Sequence, residues 1–147
     1  MISTKSLGVI ISEDLKWKEH TNVVSNKVSK SIDVLNKIRY VLPVSVLSIL
    51  YCTLILPYYQ YCNIVWASDY PTNLYKLYML QKRAIRITSQ VKWRDHTSIL
   101  FKRNRQLNSF DINNFQIVCF MYTFNRNILP ANFNMFFQIN EQIHHSW

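Results

Sequence analysis

The sequence predicts a mainly α-helical fold, a helical bundle with a short β-strand near its N-terminus. The chain has 147 residues, and its only glycine is Gly8, so tight turns that need a left-handed glycine are scarce beyond that point. Apolar residues make up 49% of the sequence and recur over long stretches at the three- and four-residue spacings of amphipathic helices. Length and composition therefore support one domain with a sizeable core.

The N-terminal part predicts one short strand and a turn around Gly8, followed by a long helix. Thr21 is predicted to cap this helix. One face carries apolar or small residues at helical spacing, namely Val24, Val28, Ser31, Leu35, Ile38 and Leu42. Three lysines fall on the opposite face, namely Lys27, Lys30 and Lys37. The first helix is therefore amphipathic, and its lysines face solvent.

Two prolines divide the next part of the chain. Pro43 suits the first turn of a second helix, and Pro57 ends or kinks that helix. Residues 58–66 then form a short third segment rich in aromatic side chains. Packing in the core is the favoured role for these aromatics, with base stacking as the alternative.

A basic helix is predicted over residues 72–90, with Thr72 as its cap. Its apolar side consists of Leu74, Leu77, Tyr78, Leu80, Ala84 and Ile85. Gln81 interrupts that side and needs a buried hydrogen-bond partner. The opposite side carries Lys76, Lys82, Arg83 and Arg86. This separation of charge from apolar surface is the strongest physical signal in the sequence.

Residues 91–106 predict a basic, irregular connection that leads to a last helix capped by Asp111. That helix carries an apolar stripe, namely Ile112, Phe115, Val118, Cys119 and Tyr122. Residues 112–125 contain no charge at all. The last helix is therefore either buried or docked onto a surface that this chain lacks.

The basic residues are concentrated in one segment. Residues 76–105 hold nine of the seventeen Lys and Arg residues and a single acid, Asp95, in a chain of net charge +9. Such a segment would attract a polyanion such as nucleic acid, and a solvated helix face without a ligand is the alternative. The candidate nucleic-acid-binding residues are Lys76, Lys82, Arg83, Arg86, Lys92, Arg94, Lys102, Arg103, Arg105, Lys27, Lys30 and Lys37.

No catalytic, metal or cofactor site is predicted. The three cysteines lie far apart and suggest neither disulfides nor a zinc site. His20 and His96 have no acid or nucleophile at a suitable spacing, so core or capping roles are favoured. The N-terminus lacks the pattern of a secretion signal, which predicts a nuclear or cytoplasmic location.

A membrane anchor is the least favoured alternative. Residues 40–68 form a run of twenty-nine residues without a formal charge, which is long enough to span a bilayer. Pro57 and several polar side chains interrupt the run, and its aromatic residues are scattered through it. We therefore expect no membrane contact, while a small membrane protein anchored through residues 40–68 stays open.

Several short passages occur in an order that matches a known family. Residues 4–9, Thr-Lys-Ser-Leu-Gly-Val, precede Leu15, Trp17 and the pair Glu19-His20, and residues 80–86 have the sequence Leu-Gln-Lys-Arg-Ala-Ile-Arg. Shorter matches continue with Leu42-Pro43, Tyr61-Cys62, Val65-Trp66, His96-Thr97, Asp111-Ile112 and Leu129-Pro130. The chain resembles the region after the palm in reverse transcriptases of non-LTR retrotransposons of the Jockey and LINE type.

The resemblance implies three regions. They are the end of the palm at residues 1–20, a helical thumb-like region at 21–106, and a C-terminal helical extension at 107–147. The polymerases of this family, RNA-directed DNA polymerases, hold Mg²⁺ through palm aspartates, and the eight acids of this chain include no Asp-Asp pair. Ser6, Asn104, Gln106 and Ser109 also depart from the family pattern.

The function implied is that of a truncated, catalytically inactive fragment of a retrotransposon RNA-directed DNA polymerase. It is expected to bind template-primer nucleic acid, RNA or an RNA–DNA hybrid, weakly and without sequence preference through phosphates. The missing palm and fingers of the parent protein are its other expected partners. A helical protein-interaction module is the alternative from a different class of function.

Overall fold

A computed structural model describes residues 3–67 and 71–137, and within them the chain is mainly helical with a short two-stranded antiparallel sheet at the N-terminus. The predicted fold class is therefore confirmed. Residue 68 of the uncharged run and residues 138–147 of the C-terminal extension lie outside the described residues. The chain forms two compact units that divide between Asn114 and Phe115.

The N-terminus forms a hairpin, where the sequence predicted a single strand. Strands β1 (Ser3–Ser6) and β2 (Val9–Ser12) pair antiparallel, with Ser6 opposite Val9. Leu7 and Gly8 form the two-residue loop with φ of 46° and 83°, as a type I′ turn requires. Gly8 therefore supplies a tight turn, and a leucine supplies the second left-handed position.

Helix α1 (Lys18–Ile38) begins three residues before the predicted cap. Trp17 occupies the N-cap position, and Thr21 is buried inside the helix with its hydroxyl donating to the Trp17 carbonyl. Ile32 is fully buried, whereas Ser31 is only half-buried. The prediction of Thr21 as a cap was wrong because its hydroxyl bonds back to the preceding turn. Lys27, Lys30 and Lys37 are exposed, as predicted.

The uncharged run is divided among three short helices. They are α2 (Val44–Leu54), α3 (Leu56–Gln60) and α4 (Asn63–Trp66). Pro43 is the N-cap of α2, and Pro57 lies in the first turn of α3, where the missing proline N–H is harmless. Across the described ranges 3–67 and 71–137, no helix has both the length and the apolar character needed to cross a bilayer.

Helix α5 (Pro71–Thr88) packs against α1 and carries the predicted basic face. Its buried residues are Leu74, Leu77, Gln81, Ala84, Ile85, Ile87 and Thr88. Thr72 is exposed within the first turn, so it is not the cap that the sequence predicted. The core joins α1 and α5 through side chains that include Val28, Ile32, Leu35, Leu77 and Ala84.

Two predictions for the following segment were wrong. The connection expected to be irregular contains helix α6 (Thr97–Arg103), which buries Leu100 and Phe101 against Ile85. Helix α7 (Ser109–Asn125) begins earlier than expected. Its cap is Asn108, whose Oδ1 accepts from the Phe110 and Asp111 amides at 2.9 and 3.1 Å, as an N-cap side chain does.

Three helices end on left-handed residues that are not glycine. Gln90, Arg105 and Asn127 have φ of 52°, 52° and 53°. The amide after each one donates to the carbonyl five residues before it, as Val91 does to Arg86 at 3.2 Å, which is the Schellman pattern. The scarcity of glycine therefore does not exclude left-handed turns in this chain, because other residues adopt them at a modest cost.

The second unit contains the C-terminal part of α7 and a short 3-10 helix (Ala131–Met135). Phe120 lies 5.8 Å from Phe133 and 5.7 Å from Phe137 between ring centroids. Phe115 and Val118 of the predicted apolar stripe are exposed. Burial of the whole stripe was therefore a wrong prediction, because only Ile112 at its start is buried. Docking onto another surface stays a prediction.

Candidate nucleic-acid interface

The cations of α5 lie at the protein surface, and each has an intramolecular neighbour. Lys76 donates to the Asn22 side chain at 2.9 Å. The Lys82 ammonium lies 5.0 Å from the centroid of the Tyr78 ring. Two of the four cations on this face thus contact neighbouring polar or aromatic side chains, which fixes their direction without neutralising their charge.

The two arginines of α5 have separate partners, one on α1 and one in the segment that follows α5. Arg83 forms an ion pair with Asp33 at 3.2 Å, and both side chains stay substantially exposed, at 43% and 61%. The Nε of Arg86 donates to the Asp95 carbonyl at 3.2 Å. Helices α1 and α5 are parallel, since Asn22, Asp33 and Arg39 contact successively later residues of α5 and of its C-terminal turn. Their C-terminal ends therefore meet.

A cleft of about 490 Å³ opens where these two helix ends meet. Its lining includes four cations from three parts of the chain, namely Arg39, Arg83, Arg86 and Lys92. Asn36, Tyr40, Ile87, Gln90, Val91 and Trp93 complete the lining. We call this site, defined by these ten residues, the cationic cleft. Its cations come from α5, from the end of α1 and from the segment that follows α5, so helix packing brings together charges that are distant in sequence.

Gln90 connects the C-terminal ends of α1 and α5 at the cationic cleft. It occupies the left-handed position that ends α5, and its side-chain amide donates to the carbonyls of Arg39 and Leu42 at 2.6 and 3.0 Å. These carbonyls lie just beyond the end of α1 and lack partners within that helix. Gln90 therefore ends α5 and also donates hydrogen bonds to the free carbonyls at the end of α1. These bonds fix the spacing between the two walls of the cleft.

Two exposed aromatic side chains pack against arginines of the cationic cleft. Trp93 is 73% exposed, and the Arg86 guanidinium lies 5.3 Å from its ring centroid. Tyr40 is 80% exposed, with the Arg39 guanidinium at 4.4 Å. An arginine against an aromatic face is a stable cation–π arrangement. The cationic cleft thus offers both charges for phosphate and ring surfaces for bases.

The structure separates the predicted binding residues into several places. The cationic cleft contains Arg83, Arg86 and Lys92, whereas Lys76 and Lys82 lie elsewhere on α5. A second group of exposed cations surrounds α6: Arg94 precedes the helix, Lys102 and Arg103 lie in its last turn, and Arg105 follows it. Lys27, Lys30 and Lys37 are exposed along α1. The nine cations of residues 76–105 are therefore distributed between α5, the cationic cleft and the surroundings of α6.

Sequence reasoning missed Arg39, Tyr40 and Trp93. The signal was present in two short patterns, Arg39-Tyr40 and Lys92-Trp93-Arg94, in which an aromatic residue adjoins cations. Such patterns are typical of nucleic-acid-binding surfaces. Their significance depended on the parallel packing of α1 and α5, which composition and periodicity do not reveal.

Opposing charges reduce the positive potential of the cationic cleft without cancelling it. Asp33 pairs with Arg83, and the Asp95 carboxylate accepts from the Lys92 amide at 2.8 Å. The C-terminal ends of α1 and α5 each contribute roughly half a negative charge. Four cations in the lining outweigh these contributions, so an anion is still attracted.

Buried polar groups position α5 beneath the basic face. Gln81 is fully buried, and its amide donates to the Tyr51 hydroxyl at 2.8 Å and to the Leu107 carbonyl at 3.0 Å. The predicted need for a buried partner is thus met. Burial raises the pKa of Tyr51 to about 12, so its hydroxyl stays protonated at physiological pH. These bonds fix the rotation of α5, with Gln81 facing inward and Arg83 outward.

His20 has the core role that the sequence favoured. It is buried, its Nδ1 accepts from the Ile10 amide at 3.3 Å, and its ring centroid lies 5.5 Å from that of Trp66. Burial, and secondarily the charge of Lys27, lower its pKa. His96 is exposed at the N-cap position of α6 and makes no side-chain capping bond.

Comparisons of the chain with protein-family models, with curated proteins and with solved structures found no match. The resemblance to retrotransposon reverse transcriptases therefore stays a prediction from the sequence. The candidate site is defined by its own geometry, in which helical packing brings four cations and two exposed aromatic rings together.

Proposed function

We propose that this chain is a thumb-like, catalytically inactive segment of a retrotransposon reverse transcriptase and binds nucleic acid through phosphate contacts, without sequence preference. The observation that carries the proposal is the cationic cleft, where Arg39, Arg83, Arg86 and Lys92 line one cavity. The ordered passages of the sequence that resemble the family support the origin. The exposed cations of α6 extend the surface available to a nucleic-acid backbone.

Phosphate contacts suit this cleft because its donors are guanidinium and ammonium groups. Arginine binds phosphate through a planar fork of N–H donors, and lysine binds it as a mobile point charge. Such contacts position a nucleic acid but carry no base information. The expected binding is therefore strongly dependent on salt and tolerant of sequence.

The ion pair between Arg83 and Asp33 does not prevent phosphate binding. Both partners are substantially exposed, and an exposed pair of this kind contributes only ~0–1 kcal/mol. A hydrogen bond from a guanidinium to a phosphate is charge-assisted, like the bond to the carboxylate. Arg83 can therefore exchange Asp33 for a phosphate with little loss of stability.

Affinity for a mixed-sequence RNA–DNA hybrid tests the proposal. Fluorescence anisotropy at about 50 mM salt, in the low-salt range where phosphate contacts are strongest, is expected to show binding by the wild-type chain. The double charge reversal Arg39→Glu with Lys92→Glu is expected to weaken binding by ~100-fold or more, since charge-assisted contacts contribute ~1.5–3 kcal/mol each and ~1.4 kcal/mol is tenfold in affinity. Lys102→Glu with Arg103→Glu is expected to weaken it less.

The matched control is Lys5→Glu with Lys18→Glu. Both lysines are exposed and lie outside the cationic cleft, and the variant changes the net charge by the same amount as the cleft variant. It is expected to retain most of the affinity. Absence of binding at low salt would refute the proposal, as would equal losses in the cleft variant and the control.

A further inference from the structure

We infer that the cationic cleft binds one unpaired nucleotide of a single strand, with the base stacked on Trp93 and the adjoining phosphates held by Arg39, Arg83 and Lys92. The inference deepens the proposed function and rests on it. The proposed function alone requires only that basic surfaces attract phosphates. The inference adds a specific ligand class, an unpaired nucleotide, for one cavity.

The indole of Trp93 is arranged as a stacking platform. The Arg86 guanidinium lies 5.3 Å from its ring centroid, which orients the ring through a cation–π contact. Since Trp93 is still 73% exposed, the ring face away from Arg86 is accessible. A base stacked on that face would form a three-layer arrangement of guanidinium, indole and base.

The cleft has the size and the charge that a nucleotide requires. Its volume of about 490 Å³ lies within the ~300–1,000 Å³ of typical small-molecule sites. Arg39, Arg83 and Lys92 line the same cavity as Trp93, so phosphates next to a stacked base would meet these cations.

A single strand fits this arrangement better than a duplex. The faces of paired bases are covered by their neighbours in the stack, whereas unpaired bases can turn outward onto an aromatic side chain. The Trp93 ring can therefore contact a base only in an unpaired region or at a strand end. Duplex binding would use the phosphates alone.

The test compares two oligonucleotides with the same backbone length and charge. One is dT10, and the other is a ten-nucleotide abasic strand that lacks all bases. Measured by fluorescence anisotropy at low salt, the wild-type chain is expected to bind dT10 about tenfold more tightly, as one base–aromatic stacking contact predicts. Trp93→Ala is expected to remove this preference, and Trp93→Phe to restore part of it.

Tyr75→Ala provides the matched control, since Tyr75 is 54% exposed and lies outside the cationic cleft. It is expected to keep the full preference for dT10. Equal affinities of the wild-type chain for the two strands would overturn the inference and leave the proposed function intact. A full preference in Trp93→Ala would also overturn it. Binding of neither strand would overturn the proposed function as well.

Discussion

The contact between Gln81 and Tyr51 predicts a substitution whose effect changes sign with its background. The Gln81 amide donates to the Tyr51 hydroxyl at 2.8 Å, and both side chains are at most 1% exposed. Tyr51→Phe in the wild-type chain removes this buried bond, and we expect it to lower the free energy of unfolding by ~1 kcal/mol. In a Gln81→Leu background the Tyr51 hydroxyl is already without its donor.

A buried hydroxyl without a hydrogen-bond partner costs ~1–3 kcal/mol. In the Gln81→Leu background, Tyr51→Phe removes that hydroxyl. Tyr51→Phe is therefore expected to be neutral or to stabilise the Gln81→Leu variant by up to ~1 kcal/mol. The double-mutant cycle then gives a coupling energy of at least ~1 kcal/mol, within the range for residues in contact. Urea denaturation followed by circular dichroism measures all four free energies of unfolding.

Tyr59→Phe is the control for this cycle. The Tyr59 hydroxyl donates to the Leu77 carbonyl at 2.9 Å instead of contacting Gln81. Its removal is expected to lower the free energy of unfolding by the same amount with or without Gln81→Leu. If Tyr51→Phe destabilised both backgrounds equally, Gln81 and Tyr51 would not be coupled, and the rotation of α5 described above would lose its support.

Three further predictions concern stability, each measured by urea denaturation. Arg105→Gly is expected to raise the free energy of unfolding by ~1 kcal/mol, because glycine accepts a left-handed conformation without strain. Gln90→Gly is expected to lower the free energy of unfolding, because the side-chain bonds to the end of α1 are lost. Asn108→Ala is expected to cost ~1 kcal/mol through the loss of the α7 cap, and an unchanged stability would contradict that assignment. The pKa of His20 is lowered from its usual value of 6.5 in the folded chain. Just below pH 6.5 the unfolded chain therefore binds a proton at His20 and the folded chain does not. The contribution of His20 to the free energy of unfolding is thus present above pH 6.5 and is lost as the pH falls through the lower folded pKa. His20→Gln is expected to show a smaller loss of stability between pH 7 and pH 5 than the wild type, and equal losses would show that His20 does not titrate on folding.

The helices were predictable where apolar periodicity was long and regular. The basic helix was expected over residues 72–90, and α5 is Pro71–Thr88. Helix ends were less predictable because several neighbouring residues can occupy the capping position. Thr21 and Asp111 are both good capping residues, yet Trp17 and Asn108 occupy those positions.

Helix α6 was missed because its seven residues are too few to show a clear period. Its stability comes from packing, since Leu100 and Phe101 cluster with Ile85 of α5. Contacts of this kind join residues that are far apart in sequence. They do not appear in local composition, which for this segment showed mainly charge.

The candidate site was predictable only in part. The charge of residues 76–105 pointed to α5, and three of the predicted cations line the cationic cleft. Arg39 and Tyr40 join them only because α1 and α5 are parallel and end together, with Gln90 linking the two ends. The pairing of Arg83 with Asp33 crosses fifty positions of sequence and could not be predicted from periodicity.

The salt dependence of hybrid binding measures most directly whether the cationic cleft contacts phosphates. Each contact contributes ~0.9 to the slope of log K against log salt on duplex DNA. Arg39→Gln with Lys92→Gln is therefore expected to reduce the magnitude of the slope by ~1.8, while Lys5→Gln with Lys18→Gln leaves it unchanged. An unchanged slope in the cleft variant would show that the phosphates bind elsewhere and would contradict the proposed interface.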